Sequence, residues 1–262
     1  MIKRKSMAVM ALCMVFMAFA LGSGSGESTR ESVKIDSNGS AEVSSSGKES
    51  STETKAEVKY EITDTNFEYY TNSIGSVEYY GYVELTNTGN CDIYLEKCTF
   101  DLEDNDGHLL QSDSYISSCP NVISPGEKGY FYNSIGSTSI DKDVSFDNGV
   151  KLVPQMKLSQ AKGKPESYPV SDVAVRAGDY GDVKVTGRVE NTSDKDISYL
   201  YVNIIFYDAN GKVIAIDGTS ITDIGAGMKG SFDTSTMFGN ENLKLENIAE
   251  TKVIAEGMYM QW

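Results

Sequence analysis

Shifted by 104 residues, the chain overlays on itself. Positions 87–113 fall on 191–217 without a gap, and Asn87, Thr88, Asp92, Ile93, Asp104, Gly107 and Asp113 meet Asn191, Thr192, Asp196, Ile197, Asp208, Gly211 and Asp217. The stretch before matches in phase, with Val83 on Gly187 and Leu85 on Val189. Downstream, after three extra residues in the first copy, GEKGYF (126–131) meets GMKGSF (227–232); upstream, YEITD (60–64) meets YPVSD (168–172). Self-similarity at a fixed spacing means that one structural unit is built twice. The polar stretch 161–166, with Gly163 and Pro165, marks the boundary, so the expected domains run over 57–160 and 167–262.

Within each copy the apolar period is two. Val77, Tyr79, Gly81, Val83 and Leu85 alternate with Glu78, Tyr80, Tyr82, Glu84 and Thr86; Val183, Val185, Gly187 and Val189 alternate with Lys184, Thr186, Arg188 and Glu190. That pattern predicts half-buried strands, one face in and one face out. Helical periodicity is weak, its best short stretch being 243–250. Turn signals recur at 87–89, 104–107, 124–126, 147–149, 209–211 and 225–227. Short strands between regular turns predict an all-β chain of sandwiches.

The twin segments LEDNDGHLL (102–110) and FYDANGKVI (206–214) pose a choice between a calcium loop and a hairpin turn. With Gly107 at the sixth place of an EF-hand loop, Asp104, Asp106 and Asp113 fill ligand places, but the first place is Leu102, and Phe206 in the second copy. Both belong to the apolar phase of a strand and cannot ligate a cation. The hairpin needs only an Asp to open a type I turn and a Gly to take positive φ. No metal site is expected.

The N-terminus has the three parts of a secretory signal peptide over 1–20: Lys3, Arg4 and Lys5, an apolar run from Met7 to Leu21, and the small-x-small site Ala18-Phe19-Ala20. A membrane span needs roughly 17–25 apolar residues, so an uncleaved anchor is the lesser alternative. Cys13 lies mid-run without a lipobox around it. The segment 21–56 is rich in Ser, Gly and Glu, with eleven serines between 22 and 55. It lacks the apolar surface to offset its ordering entropy and reads as a disordered linker spanning roughly 30–35 Å. Loss of residues 1–20 takes three basic and no acidic residues and moves the net charge from −15 to −18. Such a chain is not drawn to nucleic acid phosphates or to an anionic membrane surface.

Little in the chain points to catalysis. The one histidine, His108, follows a turn, and Glu103 and Asp104 sit on the same turn as solvated charge rather than as a glycosidase pair. No phosphate-cradling glycine loop or zinc spacing occurs, and no cofactor is expected. Three cysteines follow the leader: Cys91, Cys98 and Cys119. If the first hairpin turns about 105–106, Cys91 and Cys119 lie near each other, while Cys98 faces Asp113 in the core phase of Phe100 and Leu102. A Cys91–Cys119 disulfide, a Cys98–Cys119 disulfide and three thiols all stay open.

The stretch Phe100-Asp-Leu102-Glu-Asp104, its counterpart Ile204-Ile-Phe206-Tyr207-Asp208 and the flanking Asn-Thr and Gly turns resemble the FxLYD domains of exported bacterial proteins. Glu103 stands for the Tyr of the motif in one copy, and Ile204 and Phe206 for its Phe and Leu in the other. The resemblance implies two tandem immunoglobulin-like β-sandwich domains after the signal peptide and disordered linker, and brings no catalytic residues.

The two copies differ most on one outward face. Tyr80 and Tyr82 stand where the second copy has Lys184 and Thr186, and Tyr130 and Tyr132 flank core Phe131 where it has Ser231 and Asp233 around Phe232. In an immunoglobulin-type sandwich these strands are neighbours. The four tyrosines are therefore expected to form one exposed patch suited to a protein or glycan at the cell surface. The same composition suits a face packed against the tether or the second copy. The expectation is a secreted or cell-envelope protein that binds or scaffolds and is not an enzyme. Its alternatives are a purely structural spacer and, behind that, a carbohydrate-active enzyme.

Overall fold

The alternating stretches become strands. The computed structural model describes residues 55–71, 75–133, 139–141, 144–178, 182–236 and 243–259. In chain order the strands are β1 (Tyr60–Thr71), β2 (Val77–Asn87), β3 (Ile93–Glu103), β4 (Leu109–Asp113), β5 (Ser117–Cys119), β6 (Val122–Ile123), β7 (Lys128–Tyr132), β8 (Lys151–Gln160), β9 (Val170–Ala177), β10 (Val183–Glu190), β11 (Ile197–Tyr207), β12 (Val213–Ile224), β13 (Lys229–Thr236) and β14 (Glu250–Gly257). The stretch 243–250 yields one 3-10 turn, Leu245–Asn247, and no α-helix occurs among the described residues. The stretches expected to be signal peptide (1–20) and linker (21–56), Lys55 and Ala56 apart, lie outside the described residues.

All the sheets are antiparallel. One has the order β1-β2-β7-β5, and a second the order β4-β3-β6 with β8 also on β3. The remaining strands repeat this plan: β9, β10 and β13 pair in the order β13-β10-β9, and β11 lies between β12 and β14. Residues 56–262 pack as one compact unit.

The twin turns are hairpins, and their registers are the same. Phe100 pairs with Asp113 and Leu102 with Gln111; 104 residues on, Ile204 pairs with Asp217 and Phe206 with Ala215, each ladder shifting one residue nearer the turn. The Asp104 carboxylate accepts the N–H groups of Asp106 and His108, and Asp208 those of Asn210 and Lys212. Gly107 and Gly211 have φ of 86° and 76°, a region costly for other residues. Leu102 and Phe206, the first places of the rejected calcium loop, are fully buried.

The Asn-Thr signals have an equally local reason. Asn87 Nδ2 donates to the carbonyls of Cys91 (2.8 Å) and Ile123 (3.0 Å), and Asn191 Nδ2 to those of Lys195 (2.7 Å) and Ile224 (3.0 Å). Each oxygen accepts an N–H two residues on. One buried amide thus ties three chain segments together in each copy, where an apolar residue would leave carbonyls without donors.

Two apolar clusters result. The first holds Val83, Leu85, Leu95, Cys98, Phe100, Leu102 and Phe131, all from one copy. The second holds Val185, Val202, Ile204, Phe206 and Phe232 of the other copy together with Tyr80, Tyr82, Cys119, Tyr130 and Tyr132. Burying a side chain of the size of Phe100 or Phe206 stabilises by about 1.5–3 kcal/mol. β10 is half-buried as its alternation predicts, but β2 is buried on both faces.

Candidate functional site

β2 lies next to β7, with Tyr82 opposite Tyr132 and Glu84 opposite Tyr130. The four tyrosines do share one face. The expectation that the face is exposed is overturned: Tyr80 and Tyr82 are 0% exposed, Tyr132 2% and Tyr130 4%. The reason is the second copy, which lies on them.

The contacts are specific. The Tyr80 hydroxyl accepts the N–H of Ile216 at 2.5 Å and donates to its carbonyl at 3.3 Å. β12 is the outer strand of its sheet, so at Ile216 this hydroxyl meets a peptide group as a further strand would. Tyr82 O–H lies 2.8 Å from both Val213 O and Asp64 Oδ2. Tyr132 O–H donates to Asn203 Oδ1 at 2.7 Å, and the Tyr130 and Tyr207 hydroxyls meet at 3.5 Å. Burial raises the pKa of all four tyrosines, which keeps the hydroxyls protonated as donors. Gly218 faces Tyr132, whose hydroxyl stands 2.7 Å from where a Cβ would be, so a larger residue there would push the ring away.

One carboxylate is buried in the same seam. Glu256 Oε2 accepts both the backbone N–H (3.1 Å) and the side-chain amide (3.2 Å) of Asn121. Burial raises its pKa, against the pull of these two donors.

Of the three arrangements left open for the cysteines, the structure has the three thiols. Cys91, Cys98 and Cys119 are free. The turn's extra residue moves the register, so Asp113 faces Phe100, and Cys98 faces Met156 of β8 instead. After β4 the chain crosses to the other sheet, where β5 sets Cys119 opposite Tyr130, facing the second copy, while Cys91 stays in the loop before β3. The possible Cys91–Cys119 pair assumed one continuous hairpin. Burial pushes the Cys98 thiol up to about 12, and that of Cys119 well above its ordinary value.

Asp104, Asp106 and His108 bring ligand-type atoms within 4.8 Å of one another. The Asp104 carboxylate already holds the turn and contacts His108 Nδ1 at 3.0 Å, and these hydrogen bonds keep it well below the usual carboxylate range.

Where the two copies meet, a cleft of about 510 Å³ opens between β5 and the outer face of β11 and β12. Tyr132, Asn203 and Asn121 lie at its walls, with Tyr199, Tyr201 and Tyr259 along it. The rings of Tyr199 and Tyr201 meet edge to face at 4.9 Å, and Tyr259 is held against Tyr94 at the same distance. Sequence reasoning missed this region, although its signal is present. The outward phase of β11 reads Tyr201, Asn203, Ile205, Tyr207 where β3 has Lys97, Thr99, Asp101, Glu103. The comparison that singled out the tyrosines of β2 and β7, applied to β11, exposes the other half of the seam.

No model of a known protein family matches the chain, and no curated protein does. Functional statements therefore rest on the residues and their geometry.

Proposed function

We propose that the chain is an exported, non-enzymatic binding or scaffolding protein of the cell envelope, made of two tandem immunoglobulin-like sandwiches of the FxLYD kind. The signal-peptide pattern of residues 1–20 supports export, and the repeated sheet order supports the tandem reading. The observation that carries the proposal is the tyrosine seam, since hydroxyls of one copy bond to the backbone and side chains of the other. Two sandwiches joined in this way act as one body and present surfaces in a constant relation. The four tyrosines are then the cement of the scaffold and not its ligand face. The spacer alternative gains from the same observation, because the face first expected to bind is covered.

The test has two arms. Heat and urea unfolding of the wild type should show one cooperative transition, and a Tyr80→Ser, Tyr82→Ser, Tyr130→Ser, Tyr132→Ser variant should show two, or lose the fold of one copy. Two independent transitions in the wild type would overturn the single body. Fractionation of source cells should place the chain, shortened at Ala20, in the envelope or medium; full-length chain confined to the cytoplasm would overturn export.

A further inference from the structure

We infer that the cleft between the two copies is a binding site for an uncharged carbohydrate. The inference rests on the reading above that the copies form one body, because each contributes a wall.

Three features of the cleft point to this class of ligand. First, no Asp, Glu, Lys or Arg is among the described residues that line it, in a chain of which 23% is charged. A phosphate, a nucleotide or an acidic glycan would find no counter-charge there. Second, the cleft carries aromatic surface that the fold does not cover. Tyr201 is 40% exposed, Tyr199 is half-buried against it at 77°, and Tyr259 is also among the lining residues. The face of a tyrosine ring is electron-rich, and the C–H bonds on one side of a sugar ring are weakly positive, so the two stack. Third, a buried donor is left over. Asn203 is 5% exposed and lines the cleft; its Oδ1 accepts from Tyr132, while its Nδ2 has no partner among the described residues. A buried amide nitrogen without an acceptor is costly, and a ligand hydroxyl entering the cleft would satisfy it. Ser220, directly opposite Tyr201 in the ladder, shares its face and also lines the cleft. Stacking rings beside amide and hydroxyl groups match a molecule with C–H faces and hydroxyl edges.

The seam explains why the site belongs to the pair of copies. Tyr132 of the first copy orients the Asn203 amide by taking its oxygen, and thereby leaves the nitrogen for a ligand.

The experiment is a titration of the full chain, followed by the NMR signals of its tyrosine rings and Asn side-chain amides. The probes are cellotetraose, maltotetraose and triacetylchitotriose, with oligogalacturonate and a proline-rich decapeptide as the other arms. At least one neutral oligosaccharide should bind saturably and shift Tyr199, Tyr201 and the Asn203 amide. A Tyr199→Ser, Tyr201→Ser variant should bind about tenfold more weakly. Tyr60→Ser, at a tyrosine equally exposed but on β1, should leave binding unchanged. Both variants change exposed or half-exposed rings, and their unfolding curves verify the fold. Direct mapping on the wild type stands even if a variant fails to fold. No saturable shift with any neutral sugar, shifts elsewhere, or preference for the acidic sugar or the peptide would each overturn the inference. A failed titration alongside one cooperative wild-type transition removes the sugar site alone. Two transitions remove the single-body reading instead.

Discussion

Tyr80 gives the sharpest test of the seam. Replacing it with Phe keeps the ring and removes the hydroxyl that accepts from Ile216 N–H and donates to Ile216 C=O. The peptide group then faces a ring edge in a closed seam, and a buried donor left without an acceptor costs about 1–3 kcal/mol. Replacing it with Ala also removes a fully buried aromatic side chain, with a cost of about 3–5 kcal/mol. For a unit of this size each kcal/mol lowers Tm by roughly 2–4 °C, so Tyr80→Phe should lower it by roughly 2–12 °C and Tyr80→Ala by roughly 6–20 °C. Exposed substitutions stay within about 0.5 kcal/mol, which separates the two readings of this face. The assay is heat and urea unfolding followed by far-UV circular dichroism, with hydrogen exchange at the Ile216 amide as a local readout. The amide should exchange faster in Tyr80→Phe than in wild type. An unchanged Tm in Tyr80→Ala, or an Ile216 amide indifferent to the hydroxyl, would refute the reasoning.

Asn87→Ala and Asn191→Ala should each lower stability by about 1–3 kcal/mol, because each takes the donor from one buried and one part-buried carbonyl; urea midpoints check this, and a neutral effect at either site would contradict the tie. Glu256 has a folded-state pKa raised above its ordinary 4.5, so the native state holds this proton more tightly and its ionisation costs stability as pH rises through that window. Glu256→Gln keeps one acceptor for Asn121 and loses that slope, so its stability relative to wild type should be more favourable at pH 7 than at pH 4; urea unfolding at both values reads the difference, and an equal or reversed gap would count against it. Among Cys91, Cys98 and Cys119, a thiol reagent should label Cys91 first in native protein and the other two only on unfolding, as mapped by mass spectrometry. Rapid labelling of Cys119 would mean that the seam is open.

Much of the fold is legible residue by residue. Phe100 and Phe206 point into the two clusters that their strand phase assigns them, and Asp104 and Asp208 open the turns that Gly107 and Gly211 close. Even the grouping of the four tyrosines on one face follows from alternation and from the pairing of β2 with β7. The pairing of Cys119 was not legible. It depends on the chain leaving one sheet after β4 and joining the other at β5, a crossing that the stretch SDSYISS (112–118) does not announce. The aromatic cleft was legible only in part. Tyr199 and Tyr201 stand out in the second copy, but nothing local says that Tyr132 will come to lie beside them.

Periodicity, turn chemistry and self-similarity are local properties, so the amino-acid sequence determined the strands, the hairpins and the duplication of the unit. What covers the outer side of a strand is a property of two surfaces that meet. A tyrosine ring with a hydroxyl tip is as compatible with water as with the backbone of a neighbour, and the choice depends on whether an unpaired N–H or C=O is brought within reach. Only the tertiary structure brought Ile216 to Tyr80, turned an expected binding face into a buried junction, and left the cleft beside it open.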